Sequence, residues 1–296
     1  MNNTDKIAST HLGKKSQGSI NYDPSLLVAI PRSENRNQYE IDDNNLPFLG
    51  YDIWHAYEFS SLTENNLPVA RLMKMKYPCD SEFLVESKSL KLYLNSFNMS
   101  CFGKNTEECL KICKEKIEKD LSEKLKTKVS IDFIENYDKT NIFENFENIL
   151  NFINENELKI INFKETPELL KTEESQSKSY FLKFDSIRSN CRVTHQPDFG
   201  DIFIYYKSKK HILEESLVKY LSSFRSEYHF HEECCEMIFK RLMDLLDTED
   251  ELFVCALYTR RGGIDINPIR YSSNCSFDGY LDLINTKKYI KGTIKQ

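Results

Sequence analysis

No run in the 296 residues approaches the roughly 18 consecutive apolar positions of a membrane-spanning helix, so no membrane partner is expected. The N-terminal MNNTDKIASTHLGKKSQGS lacks the apolar core of a secretory signal, which points to a cytoplasmic protein. No Cys-x-x-Cys pair occurs, and the nine cysteines are an odd number. Reduced thiols are therefore expected in place of a disulfide framework or a cysteine-rich zinc site. No Gly-x-Gly-x-x-Gly is present, so no Rossmann dinucleotide site is implied. Positive charge is not in excess either: the net charge is −6. That argues against broad nucleic-acid binding, which relies on a basic surface, and no direct nucleic-acid partner is expected.

What is present is a soluble globular balance, 40 % hydrophobic and 29 % charged, in a chain long enough for one large or two ordinary domains. Residues 1–45 are polar and read as an arm with one anchored segment, SLLVAIP at 25–31. Residues 51–61 and 68–77 alternate as strands. Residues 81–98 have helical spacing through Leu84, Leu90, Tyr93, Leu94 and Phe97. Asn105 or Thr106 caps a second helix that carries Leu110, Cys113, Ile117, Leu121 and Leu125 on one face. Residues 128–137 return to a strand, and 138–176 read as an Asn-, Glu- and Lys-rich connector. The plan then repeats: strands at 179–187 and 201–208, helices at 216–224 and 234–246, a strand at 252–260. The expected fold class is α+β, with two tandem modules (46–137 and 177–296), each an antiparallel sheet with a helix pair on one face.

Four stretches could carry chemistry. In SNCRVTHQPDFGD, Cys191 and Asp198 flank a turn that Gln196-Pro197-Asp198-Phe199-Gly200 is expected to make. A thiol of pKa roughly 8.5 needs a neighbour to become a nucleophile, and Asp198 or His195 could supply it; the ordinary alternative is a loop with a buried cysteine. In HFHEECC, His229, His231, Cys234 and Cys235 invite a zinc reading, against a helix start with surface histidines and inward cysteines. In ESKSLKLYLNSF, Glu86, Lys88 and Lys91 read as solvated charges on a helix. In RRGGIDINPIR, two arginines beside two glycines could approach a phosphate, or simply form a Gly-Gly bulge or turn after a strand.

Taken together and in order, ESKSLKLYLNSFN, the Cys191–Asp198 loop, FHEEC and RRGGIDINP closely resemble the long-form 7-cyano-7-deazaguanine reductases (QueF). These are NADPH-dependent nitrile reductases of the queuosine tRNA-modification pathway. LGKKS (12–16) and NLPFLGYDIWHAYEFS (45–60) are similar to that family as well, and the resemblance spares only 138–176. It implies two tunnelling-fold (T-fold) modules in one chain and a homodimer. It implies that Cys191 is the nucleophile that forms a covalent thioimide, and that Asp198 is the proton donor, held protonated near neutral pH. Val85, Glu86, Ser87, His231 and Glu232 are implied to bind the 7-deazapurine substrate. Ser87, Lys88, Arg261 and Gly262 are implied to bind NADPH, two of which are used per turnover, with no metal. Two positions depart from the family: Arg192 stands where Pro is expected, and His195 where a small or amide residue is expected. The rival readings are a zinc-dependent GTP cyclohydrolase-like hydrolase and a catalytically silent purine-binding module.

Overall fold

The computed structural model describes residues 6–7, 19–136, 138–290, 293, 295 and 296. The LGKKS stretch and most of the first 18 residues lie outside the described residues. The strands are β1 (Ala29–Pro31), β2 (Leu49–Leu62), β3 (Pro68–Pro78), β4 (Phe83–Val85), β5 (Ser130–Ile134), β6 (Glu147–Asn148), β7 (Thr172–Asn190), β8 (Pro197–Ile212), β9 (Glu251–Tyr258) and β10 (Ile264–Tyr271). The helices are α1 (Ser33–Arg36), α2 (Ser87–Asn95), α3 (Thr106–Leu125), α4 (Glu214–Ser223), α5 (His231–Met243) and α6 (Tyr280–Ile284). Among the described residues no helix is long and apolar enough to cross a membrane.

Eight strands form one sheet in the order β5-β3-β2-β10-β9-β8-β7-β6, antiparallel except at the β6–β7 edge. The halves of the chain meet where β10 pairs with β2, from Ile264 opposite Ala56 to Tyr271 opposite Leu49. Strand alternation sorts the side chains into two faces. Trp54, Ala56, Ile264 and Ile266 face the core under α2 and α3. Val254, Ala256 and Tyr258 face the core under α4 and α5. The other face carries Ile53, Phe203, Phe253 and Ile269, covered by Phe143, Phe146 and Leu283. Both helix pairs thus lie on one side of the sheet. Asn105 Oδ1 accepts the N–H of Glu108 at 2.9 Å, and Cys113, Ile117, Leu121 and Leu125 of α3 are buried as expected; the face starts one residue earlier, with Cys109 buried and Leu110 only partly so.

Three segments differ from the sequence expectation. Residues 81–98 are not one helix: β4 comes first, paired with β1, and α2 starts at Ser87. The apolar run Phe83-Leu84-Val85 is short enough to serve as strand or helix, and the partner strand from the arm decides it. The connector is not merely a connector, because β6 extends the sheet and Phe143 stacks on Phe203 at 3.9 Å. The third is β10, where the sequence suggests only a turn after a strand. Gly262 (φ 58°) and Gly263 (φ 80°) do make that turn, and IDINPIRY then runs back as a strand. Pro268 lies before the point where β9 pairing begins at Ile269, so its missing N–H costs no β9 bond.

The arm is anchored by charge as well as by β1. Arg32 pairs with Asp52, and Arg36 donates to both oxygens of Glu236 at 2.7 and 2.8 Å. Arg270 donates to Asp52 at 2.8 Å and to Glu236 at 2.8 Å. All five side chains are buried. Burial alone would raise the Glu236 pKa, but Arg270, Arg36 and Arg32 carry it down to about 2 from 4.5. The stability that Glu236 contributes is therefore complete above 4.5 and lost as pH falls toward about 2. Removing one partner strands the others uncompensated. Arg270→Ala is expected to cost about 3–5 kcal/mol of folding stability by urea denaturation; a cost below about 1 kcal/mol would mean the network does not hold the halves together.

Candidate active site

A cavity of about 460 Å³ opens between the two helix pairs on the helix side of the β2–β10 junction. Five elements deliver its polar groups: the N-termini of α2 and α5, the loop from Cys191 to Gln196, the start of β8 with Asp198, and the β9–β10 turn. Trp54, Ile264 and Ile266 give it an apolar floor from the sheet.

The Cys191–Asp198 stretch folds differently from the expected Pro-Asp-Phe-Gly turn. Asp198 already belongs to β8, opposite Ser189, and the turn is Cys191–Gln196. The Cys191 N–H donates to the Gln196 carbonyl at 2.9 Å, and the His195 N–H donates to the Cys191 carbonyl at 3.0 Å. Pro197 is tolerated as the first strand residue, and His195 takes the left-handed conformation at φ 56°. That geometry carries the His195 ring to the surface, against Tyr228 at 4.8 Å, and it does not line the cavity. Cys191, half-buried, and Asp198, buried, both do.

Asp198 is bonded on both oxygens. Arg261 Nη1 donates to Oδ1, and His231 Nε2 lies 3.5 Å from Oδ2. Burial raises the carboxyl pKa, but His231 and Arg261 outweigh it and hold Asp198 below the usual range. The expectation of a protonated Asp198 thus meets the opposite pull in the free site: the hydrogen bonds and charges of His231 and Arg261 favour its carboxylate. Arg261 also donates to Gln196 Oε1 at 2.7 Å, which closes the β9–β10 turn onto the Cys191 loop. His231 stacks on Tyr258 at 3.7 Å with planes 3° apart, which fixes its ring toward Asp198.

Glu232 reaches the cavity from α5, is 2 % exposed, and its Oε1 has no hydrogen-bond partner. Burial and the neighbouring Asp52 charge push it up to about 8. An acceptor so buried and unmatched suits a ligand that brings N–H donors. Glu86 behaves otherwise. It is neither a solvated charge nor a wall of the cavity: its carboxylate caps α2, accepting the N–H groups of Lys88 at 2.9 Å and Ser89 at 2.7 Å. Burial raises its pKa nevertheless. Val85, Ser87, Lys88 and Gly262 line the cavity as named from the sequence.

The zinc reading of 229–235 meets the wrong surroundings. His229 is buried, not superficial, and its ring faces Glu227 at 3.2 Å and Glu233 at 3.5 Å. Cys234 and Cys235 point into the core, where burial lifts the Cys234 thiol to about 12. Among the described residues no group of three or more His, Cys, Asp or Glu is placed to hold a metal. Arg192, the other departure, donates to Glu233 at 3.0 Å and does not line the cavity. Sequence reasoning missed Trp54 and Phe230 as cavity walls. The signal was there: Trp54 is the one tryptophan of the chain, in an alternating strand, and Phe230 stands between the two histidines.

Residues 19–133 match the family described as nitrile reductase, 7-cyano-7-deazaguanine-reductase N-term, and residues 197–276 match the one described as QueF-like protein. An NADPH-dependent 7-cyano-7-deazaguanine reductase of Colwellia psychrerythraea (strain 34H) is 37 % identical over 277 residues, 91 % of this chain and 94 % of that protein. The chain belongs to the 7-cyano-7-deazaguanine reductases. A reductase of the same name from Legionella pneumophila (strain Corby) is 38 % identical over 272 residues, 91 % of this chain and 92 % of that protein. The reductase family matches thus span both sides of the cavity, with α2 and the first half of the sheet in one and Asp198, α5 and the β9–β10 turn in the other.

Proposed function

We propose that this chain reduces the nitrile of 7-cyano-7-deazaguanine to an aminomethyl group through a thioimide on Cys191, in queuosine biosynthesis. The observation that carries the reading is Cys191 and Asp198 on the walls of one cavity, beside the buried, unpartnered Oε1 of Glu232. Glu232 accepts the N–H donors of the purine edge, with His231 and Val85 beside the ring; Ser87 and the Glu86-capped end of α2 hold the opposite side. Cys191 Sγ adds to the nitrile carbon. The proton balance is internal: the S–H bond breaks, Asp198 takes the proton and passes it to the nitrile nitrogen, and S–C and N–H bonds form. Asp198 ends as it began, ionised, ready for the next transfer. A carboxylate held low by Arg261 and His231 suits a relay better than a resting acid.

Two NADPH molecules, binding in turn, would supply one hydride each to take the nitrile to the amine. The cavity's free wall fits their phosphates: Lys88 and Lys91 line it, Arg261 is at the rim with 38 % of its side chain exposed, and Gly262 leaves the turn without a side chain. Arg261 must leave Asp198 to meet a phosphate, and a guanidinium is the group suited to a 2′-phosphate. Arg261→Ala is expected to raise the KM for NADPH about ten- to a hundredfold, as for a lost charged contact, and that for NADH much less. Equal rises would show that Arg261 does not read the phosphate.

The halves 46–137 and 177–296 are read as two T-fold modules, in a cytoplasmic homodimer. Incubation with the nitrile in the absence of NADPH is the test of the chemistry. A mass increase equal to the substrate, mapped to the peptide that holds Cys191, is expected. No adduct, or one on another cysteine, removes the reading.

A further inference from the structure

Glu232 and Glu236 stand one turn apart on α5 in contrasting company. Glu236 is saturated by Arg36 and Arg270, with Arg32 at 3.5 Å. Glu232 has an unpartnered oxygen at the cavity wall. The two are joined through Asp52 of β2, which takes Arg32 on one oxygen and Arg270 on the other, and whose charge bears on Glu232. The groups that act on Glu232 from the surrounding elements are Asp52 of β2, Tyr77 of β3, Arg32 of the arm and Arg270 of β10. Asp52 opposes a negative charge on Glu232, and Arg32 and Arg270 favour one.

Accepting two N–H donors requires Glu232 as the carboxylate, because the protonated form has turned one oxygen into a donor. The charge on Glu232 is therefore the switch between a site that holds the base and one that does not. Arg32 is one of the two cations, with Arg270, that favour that charge. It faces Asp52 directly, and it is pinned by Ser81 Oγ at 3.2 Å and by its own N–H on the Glu82 carbonyl at 3.1 Å. It enters from the arm, outside both sets of strands and helices that build the cavity.

We propose that Arg32 is a positioning residue for base recognition: by neutralising Asp52 it lets Glu232 carry the negative charge that accepts the substrate's N–H donors. The proposal rests on Glu232 being the base-binding carboxylate. Without Arg32, Asp52 keeps only Arg270, and Glu232 loses a favourable charge as well. Both changes drive Glu232 toward its neutral form. Without the Asp52 charge the opposite happens. A purely structural role would lower affinity equally at every pH; a charge role moves the pH at which affinity breaks, in opposite directions for the two partners.

The test is binding of 7-cyano-7-deazaguanine to the Cys191→Ala protein, read by quenching of Trp54, the one tryptophan, which lines the cavity. In that background affinity should rise with pH by up to about tenfold per unit and level near 8, where Glu232 is ionised in the free site. Arg32→Ala should move the break upward by about one pH unit and weaken binding at neutral pH about tenfold. Arg32→Lys should restore most of the parent behaviour, and Asp52→Asn should move the break downward. Shifts of the same sign in Arg32→Ala and Asp52→Asn, or none in either, would overturn the proposal. Should Arg32→Ala not fold, the sign for Asp52→Asn decides alone, and an upward or absent shift overturns it. Glu232→Gln should abolish the break; if it keeps the parent's break, the reading of Glu232 itself has failed, which is a separate result.

Discussion

Asp198→Asn is expected to form the covalent adduct about 100- to 10,000-fold more slowly than the parent, the usual cost of losing a proton-transfer group. The amide keeps the size of the side chain and can still meet Arg261 and His231. It can neither take the thiol proton nor hand one to the nitrile nitrogen, so negative charge builds up on that nitrogen without relief. Single-turnover adduct formation followed by mass is the measurement. The pH profile adds a second arm. At saturating nitrile, an Asp198 carboxylate that works as a relay predicts a rate that stays level from neutral pH down to about 5 and falls only below the ordinary carboxylate range, since Asp198 is held under it. A resting acid with a raised pKa would instead lose rate as pH rises through neutrality. Adduct formation within a few-fold of the parent would remove Asp198 from the reaction and leave His231 as the group to test.

Cys191→Ala is expected to lose turnover by at least about 10,000-fold while binding substrate within a few-fold of the parent. The chain has nine cysteines, and the structure separates this one from the rest. Cys191 is half-buried at the cavity wall. Burial pushes the thiols of Cys79 and Cys275 up to about 11 and those of Cys113 and Cys234 up to about 12, which keeps them from acting as nucleophiles. Cys101 is exposed but lies beside Asn66, away from the cavity. Loss of the adduct with loss of binding would point to a folding defect, and quenching of Trp54 distinguishes the two. Residual turnover above a few per cent would require a second nucleophile.

Much of this was legible in the residues, for reasons that can be named. The long strands and α3 announce themselves because each has one buried face and one wet face, so their periods survive in the sequence. The site residues were legible through their motifs, not through spacing, and the structure gathers all of them except Glu86 on one cavity. Glu86 faces the other way because an N-cap acceptor is needed where a strand turns straight into α2, a demand visible only once β4 is known to pair with β1. The strand β10 was hidden by Pro268, whose tolerance depends on where β9 begins to pair. The pull on Asp198 was not readable from its neighbours, because burial pulls one way whereas His231 and Arg261, brought in from 33 and 63 residues on, pull the other. The importance of Arg32 and Arg36 was invisible, since two arginines in a polar arm look solvated until Asp52 and Glu236 are brought to them.

The most direct measurement starts from the adduct itself. Protein loaded with 7-cyano-7-deazaguanine is freed of excess nitrile and mixed with NADPH in a single turnover. The expected result is two NADPH oxidised per adduct, release of the aminomethyl product, and return of the protein to its unmodified mass at Cys191. Persistence of the adduct while free nitrile is still reduced, or a stoichiometry of one, would show that the thioimide is a side product and contradict the account.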